Sequence, residues 1–197
     1  QDASGAIWVG TYLGGLNRLE ADGSFLHVDH DAEDPHSLRS STVYALRPDT
    51  RNRLWIGTDD GLDVRAADGN IVHVDLPLLA QRPGPAVVMS LLQEDDGSML
   101  VGTLKGLFRV DAELHYQSEL AETTPTLKVS ALARSKTGDD LWLGLLTGLA
   151  HLDAPGLQPY NTDESAPGPY PGPRPTAHRF PSDSRHGLAL FAGGPSR

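Results

Sequence analysis

The chain has no cysteine, which excludes disulfide frameworks, thiolate zinc sites and cysteine nucleophiles. It leaves the compartment open, since periplasmic and cytosolic proteins alike can do without the residue. Lysine is almost missing too, at 3 of 16 basic residues, and the formal net charge is −10 with a pI of about 5.1. A nucleic-acid binder needs a basic stripe to neutralise phosphates, and docking on an anionic membrane surface needs much the same. Neither partner is expected. No stretch approaches the roughly 18 apolar residues that a spanning helix requires, so this segment predicts no membrane contact. Its 197 residues open on Gln1 with no charged-then-apolar leader, and the chain reads as a piece of something longer.

Aromatic residues are few, and all three tryptophans fall in one recurring phrase. It reads Ile7-Trp8-Val9-Gly10-Thr11, Leu54-Trp55-Ile56-Gly57-Thr58, Met99-Leu100-Val101-Gly102-Thr103 and Leu141-Trp142-Leu143-Gly144-Leu145. The glycines step by 57 − 10 = 47, 102 − 57 = 45 and 144 − 102 = 42 residues. That period predicts a repeat of four short strands per unit. The second copy shows a whole unit: Val43-Tyr44-Ala45-Leu46, the tryptophan phrase, Leu62-Asp63-Val64-Arg65, and Ile71-Val72-His73-Val74, separated by Asp, Asn and Gly turns. Such punctuation marks an antiparallel meander, one propeller blade.

Before each phrase stands a residue that tolerates positive φ: Gly5, Asn52, Gly97 or Gly138. After each comes Gly-Leu, at 15–16, 61–62, 106–107 and 148–149. The leucines, with Trp8, Trp55, Leu100 and Trp142, are read as the contacts between neighbouring blades. The fold class is therefore all-β, a partial β-propeller of about four antiparallel blades at roughly 1–30, 42–76, 87–117 and 127–160. The first lacks its opening strand. Residues 161–197 hold 7 of the 15 prolines; they read as a Pro/Gly-rich tail, either a worn fifth blade around 183–194 or an end whose reading frame has drifted.

The repeat resembles the two-component regulator propeller family. The resemblance rests on the LWIGT phrase, on Gly14-Gly15-Leu16-Asn17-Arg18-Leu19-Glu20, and on the linker Asp34-Pro35-His36-Ser37-Leu38-Arg39-Ser40-Ser41-Thr42-Val43. It covers about 1–160 and is strongest at 1–65; later copies depart from it at Leu100 and Leu145 and lose the linker. The resemblance implies the periplasmic sensor region of a membrane-anchored bacterial receptor with a histidine kinase or diguanylate cyclase as output. It further implies additional blades elsewhere in the full-length protein, a small ligand such as a saccharide, no cofactor and no chemistry.

Repetition decides how the polar clusters are read. His27 to His36 places three histidines among four carboxylates, a metal-like density; yet His27 recurs as His73 in the next copy and His36 falls in the linker, so no metal site is expected. Asp59-Asp60 and Asp95-Asp96 sit in turns beside glycine, where Asp bonds its own backbone. Arg18, Arg109 and His151 occupy equivalent places and read as scaffold. An enzyme, a polysaccharide lyase or hydrolase, would need acids or histidines on the inner strands, which offer Tyr44, Arg47, Gln93, Glu94, Lys128 and Arg134. A pure protein-interaction platform is the other alternative. A ligand is expected on the face carrying loops 29–42, 76–86 and 118–127 and the turns at 11–15, 58–61, 103–106 and 145–148. There Tyr12, Arg39, Asp59, Arg82 and Lys105 differ between copies and are the candidate ligand-binding residues, Tyr12 for stacking and the rest for hydroxyls.

Overall fold

The computed structural model describes residues 1–2, 4–77, 83–119, 127–135, 140–153 and 156–160, and for 118, 119, 153 and 156–160 the backbone alone. Gly138, Arg82 and the 161–197 tail lie outside these described residues.

Among the described residues fifteen strands form four separate antiparallel sheets, each a meander. The first has three strands, β1 (Ile7–Gly10), β2 (Leu16–Leu19) and β3 (Phe25–Val28). The second has β4 (Val43–Pro48), β5 (Leu54–Thr58), β6 (Gly61–Arg65) and β7 (Ile71–Val74). The third has β8 (Val88–Gln93), β9 (Met99–Thr103), β10 (Gly106–Val110) and β11 (Tyr116–Glu119). The fourth has β12 (Val129–Arg134), β13 (Leu141–Leu145), β14 (Gly148–Asp153) and β15 (Gly156–Tyr160). The opening strands β4, β8 and β12 adjoin one another in turn, as the inner strands of propeller blades do. No helix among the described residues is long and apolar enough to cross a membrane.

Strand alternation assigns every side chain to one of two neighbours. In β5, Leu54 and Ile56 pack back against Trp8, Leu16 and Leu38 of the first blade and its linker. Trp55 between them points the other way, joining Leu62, Val64 and Val74 against Met99, Val101 and Phe108 of the third blade. In β9, Leu100 joins Leu107 against Leu141, Leu143 and Ala150 of the fourth. Trp55, Leu62 and Phe108 are fully buried. Among the described residues the core is thus three seams between blades, filled by Trp8, Trp55 and Leu100 with Leu16, Leu62 and Leu107; Leu149, expected at a seam, is only half-buried and joins none of them. Trp142, on the opposite side of β13 from Leu141 and Leu143, is half-buried and stacks on His151 at 4.8 Å between ring centroids.

The glycine of the phrase has a steric cause at the seam. A Cβ on Gly10 would lie 2.4 Å from Val43 Cγ1, one on Gly57 2.7 Å from Val88 Cγ1, and one on Gly102 2.8 Å from Val129 Cγ1. Each glycine makes room for the first valine of the next blade's inner strand. The turn before the phrase behaves as its residues demand, with φ of 89° at Gly5, 59° at Asn52 and 84° at Gly97.

Two of these turns are closed by an aspartate six residues ahead of the tryptophan. Asp2 accepts the Trp8 indole N–H at 2.8 Å, and Asp49 accepts that of Trp55 at 2.9 Å. Asp49 also accepts the backbone N–H groups of Arg51 and Arg53, and the Arg53 guanidinium at 2.7 Å. Burial works to raise the pKa of both carboxyls. The hydrogen bonds outweigh it, those from Ser4, Trp8 and the backbone at Asp2 and those from Trp55 and Arg53 at Asp49, and both lie below the ordinary carboxylate value.

Candidate functional site

The connection from β3 to β4 carries the linker motif, and its polar residues are spent on its own backbone. Asp31 Oδ1 accepts the Glu33 N–H, Asp34 Oδ1 accepts the His36 N–H, and Ser37 Oγ both accepts from Asp31 N and donates to Asp31 O. His30 Nδ1 donates to the Leu38 carbonyl at 2.6 Å. Leu38 is driven fully into the first seam, so the next residue, Arg39, emerges at a fixed place. This accounts for the Asp-Pro-x-Ser-Leu pattern as loop architecture. Among the described residues no group of three His, Asp or Glu side chains could hold a metal ion.

Arg39 is held by a carboxylate that the repeat pattern concealed. Asp63, on β6, is wholly buried; its Oδ2 accepts the Arg39 backbone N–H at 2.8 Å, and its Oδ1 lies 2.7 Å from His73 Nδ1 and 3.3 Å from Arg39 Nε. The Arg39 Nη2 lies 3.6 Å from the exposed Asp75. Strand register puts Asn17, Phe108 and Ala150 at the equivalent places of the other sheets. Asn17 donates instead to the Gly14 carbonyl of its own turn at 3.0 Å. One position thus braces a turn in the first blade, holds the incoming loop in the second, and is apolar in the third and fourth.

Beside Arg39 opens a cleft of about 270 Å³. Arg39, Asp60, Asp75 and Lys105 supply its charged lining, and Leu62, Val74 and Leu76 belong to its apolar side. Its walls come from the β3–β4 connection, the β5–β6 turn, the end of β7 with the connection that follows, and the β9–β10 turn. These are the loops and turns of the face singled out from the sequence. Lys105 is nearly buried, and its backbone N–H donates to Thr103 Oγ1 at 3.0 Å. The lining thus offers two cations and two exposed carboxylates, with the buried Asp63 carboxylate behind Arg39. The volume is just under the range usual for drug-sized ligands, roughly 300–1,000 Å³.

Of the candidates, Arg39 and Lys105 meet at this cleft. Asp59 does not line it; its neighbour Asp60 does. Tyr12 stands apart, 73% exposed on the β1–β2 turn, which is one residue longer than the β5–β6 turn. That turn is braced by Thr11 and Asn17 and carries Leu13 at φ 65°. Arg82 lies outside the described residues. On the inner strands Gln93 donates to Thr50, and Glu94 is paired with Arg134; both contacts link one blade to the next. Asp63 and His73 were missed because His73 matched His27; the signal was Asp63 itself, standing where the first copy has Asn17.

Residues 37–60 match the family model described as Two component regulator propeller; the chain carries that repeat, as its linker and tryptophan phrase suggested. No curated protein matches the chain. Among solved structures it is similar to an extracellular domain described as that of a hybrid two component system of B. thetaiotaomicron, with TM-score 0.69 and 22% identity over 83% of this chain and 22% of that one. A second extracellular domain so described, from the same organism, gives TM-score 0.62 and 22% identity over 76% and 20%. Virginiamycin B lyase from Staphylococcus aureus gives TM-score 0.61 and 13% identity over 82% and 54%. At these identities the likeness is one of fold, an all-β propeller. The chain spans about a fifth of the two extracellular domains.

Proposed function

We propose that this chain is a non-catalytic, ligand-sensing stretch of propeller from a bacterial membrane-anchored signalling receptor, facing the periplasm, whose output is a kinase or cyclase elsewhere in the protein. Its site is the cleft beside Arg39 and Lys105, and its ligand is a small polyhydroxylated molecule such as a saccharide. The observation that carries this reading is the lining. Donors and acceptors over an apolar wall suit alternating hydroxyl and C–H faces, and Arg39, Asp60 and Lys105 stand at positions that the other blades do not repeat, whereas Asp75 recurs as Asp29 and Leu62 as Leu16. The match to the regulator propeller repeat and the fold shared with extracellular domains of two component systems support the sensor role.

Binding is tested by titration calorimetry and thermal shift with a panel of neutral and acidic mono- and disaccharides. One or more should bind saturably and raise the melting temperature. Arg39→Gln and Lys105→Met should each weaken that binding about tenfold or more, the usual effect of losing a charged hydrogen-bond donor. No saturable binder, or one whose affinity both variants leave unchanged, would sink the proposal. A lyase like the virginiamycin enzyme would instead turn over a substrate, and turnover of any panel member would replace the sensor reading.

A further inference from the structure

The second sheet carries its cation one residue later than the others do. The residue opposite the central tryptophan or leucine of the phrase is Arg18 in the first sheet, Arg109 in the third and His151 in the fourth. Each of these has a carboxylate partner, Glu20, Asp96 and Asp140 in turn. In the second sheet that place holds Val64, and the arginine stands next, at Arg65, where the other sheets have Leu19, Val110 and Leu152. One step along a strand turns a side chain to the opposite face. Arg65 therefore faces the first blade, beside Leu54 and Ile71, which are buried in that seam. Its guanidinium carbon lies 4.8 Å from the centre of the Trp8 ring, and that of Arg18 lies 5.6 Å from the same ring.

Among the described residues no carboxylate pairs with Arg65. Asp2 spends its oxygens on Ser4, Ala6 and the Trp8 indole, and Asp68 spends both of its own on Asn70. Glu20 takes Arg18 in a two-point pair at 2.7 and 2.9 Å. Burial first, and then the nearby Arg18 charge, hold the Arg65 pKa below its ordinary value. A part-buried cation at a place that is otherwise apolar costs stability until a counter-charge meets it. We propose that Arg65 and Arg18 form an oxyanion site beside Trp8, taking sulfate or phosphate, either free or as the terminal group of a larger molecule. A tetrahedral ion presents oxygens in several directions. It can accept from the Arg65 fork and from the Arg18 Nη1 that Glu20 leaves unused, two donor sets on different strands that a planar carboxylate meets less well. The site lies at the end of β6 opposite Gly61, which lines the Arg39 cleft, so it is independent of the saccharide reading.

Sulfate or phosphate titrated against chloride at constant ionic strength should raise the melting temperature along a curve that saturates. General salting-out stabilisation grows with concentration and does not saturate. At about twenty times the dissociation constant the rise should be about 3–6 °C. In a proton–nitrogen correlation spectrum the Trp8 indole resonance should move while those of Trp55 and Trp142 stay. Arg65→Leu should abolish the saturating response and melt no lower than the wild type in chloride. Arg65→Lys, which keeps the charge and loses the fork, should bind about tenfold more weakly. Phenyl phosphate separates the two sources: an ester that binds no tighter than inorganic phosphate assigns the site to the free ion, and one at least about tenfold tighter assigns it to a larger molecule. A response that never saturates, or one that Arg65→Leu retains, would overturn the proposal. So would Arg65→Leu melting well below the wild type in chloride, since Arg65 would then serve the scaffold through Trp8.

Discussion

Asp49 offers the sharpest test of how these blades are held, because Asp2 repeats its role in a weaker setting. Asp49→Ala removes the acceptor for the Trp55 indole, for the backbone N–H groups of Arg51 and Arg53, and for the Arg53 guanidinium. Trp55 is fully buried and the Arg53 side chain is 14% exposed, so water replaces few of these bonds. An unsatisfied buried donor costs about 1–3 kcal/mol and a broken buried ion pair about 3–5 kcal/mol. The terms overlap, and we expect a total of about 3–5 kcal/mol, a large share of the stability of an ordinary domain. Asp2→Ala removes bonds to Ser4, Ala6 and Trp8 at a part-exposed site where Arg18 and Arg65 lie over the Trp8 ring and neither takes the place Arg53 has on Asp49. Water reaches that site, and the expected loss is about 1–2 kcal/mol.

Urea unfolding followed by far-ultraviolet circular dichroism reads both losses without relying on tryptophan emission, which the substitutions themselves alter. Equal losses, or a loss under about 1 kcal/mol for Asp49→Ala, would refute the reasoning that burial multiplies the value of this bond set. The same carboxyl sets a pH dependence. Its folded pKa lies below the ordinary 3.8, as does that of Asp2. The stability each contributes is therefore complete above the unfolded value and is lost as pH falls through the lower folded value. Acid titration from pH 6 to 2 should show the wild type losing stability below about pH 4 more steeply than Asp49→Asn does.

Gly57→Ala drives a Cβ to 2.7 Å from Val88 Cγ1 and 2.8 Å from the Val88 carbonyl oxygen, and backbone cannot swing aside. It should cost about 2–3 kcal/mol, whereas Gly144→Ala, whose nearest neighbour is the Ala131 Cβ at 3.0 Å, should cost less than about 1 kcal/mol. Melting temperatures in the reverse order would refute the account of the seams. Asp63→Ala strands His73 and Arg39 and should cost about 3 kcal/mol. Hydrogen exchange should rise first at the Arg39 amide and along residues 37–42 and leave β5 protected; uniform acceleration would mean that Asp63 supports the sheet rather than the loop.

The fold was legible because propeller physics writes itself into the sequence at fixed intervals. A tryptophan or leucine flanked by apolar residues must face one neighbour while its flanks face the other, and that alternation is visible without coordinates. Asn52, in place of a glycine, was expected at positive φ and adopts it. Less visible was why the phrase ends in glycine, since the valine it accommodates belongs to the next blade, some thirty residues on. The aspartate six places ahead of Trp8 and Trp55 was present in the letters, but its partner is an indole N–H across a turn, a relation that composition does not show.

The candidate cleft was half legible for a related reason. Looking for departures from the repeat found Arg39 and Lys105, which the fold brings to one cleft. The same rule passed over Asp63 and His73, because each sits in a strand that otherwise obeys the pattern. A buried carboxylate in a strand is costly unless it is fully bonded, and here its partners are a histidine on the next strand and a loop arriving from the previous blade. Asn17 at the matching place can satisfy itself on its own turn, and Phe108 needs no partner at all. Replacing either kind of residue by Asp therefore forces a loop to come inward and answer it. In a repeat fold, function is to be sought where a strand position exchanges a self-sufficient side chain for one that must recruit its neighbour, and in this chain that position holds Arg39 at the rim of the cleft.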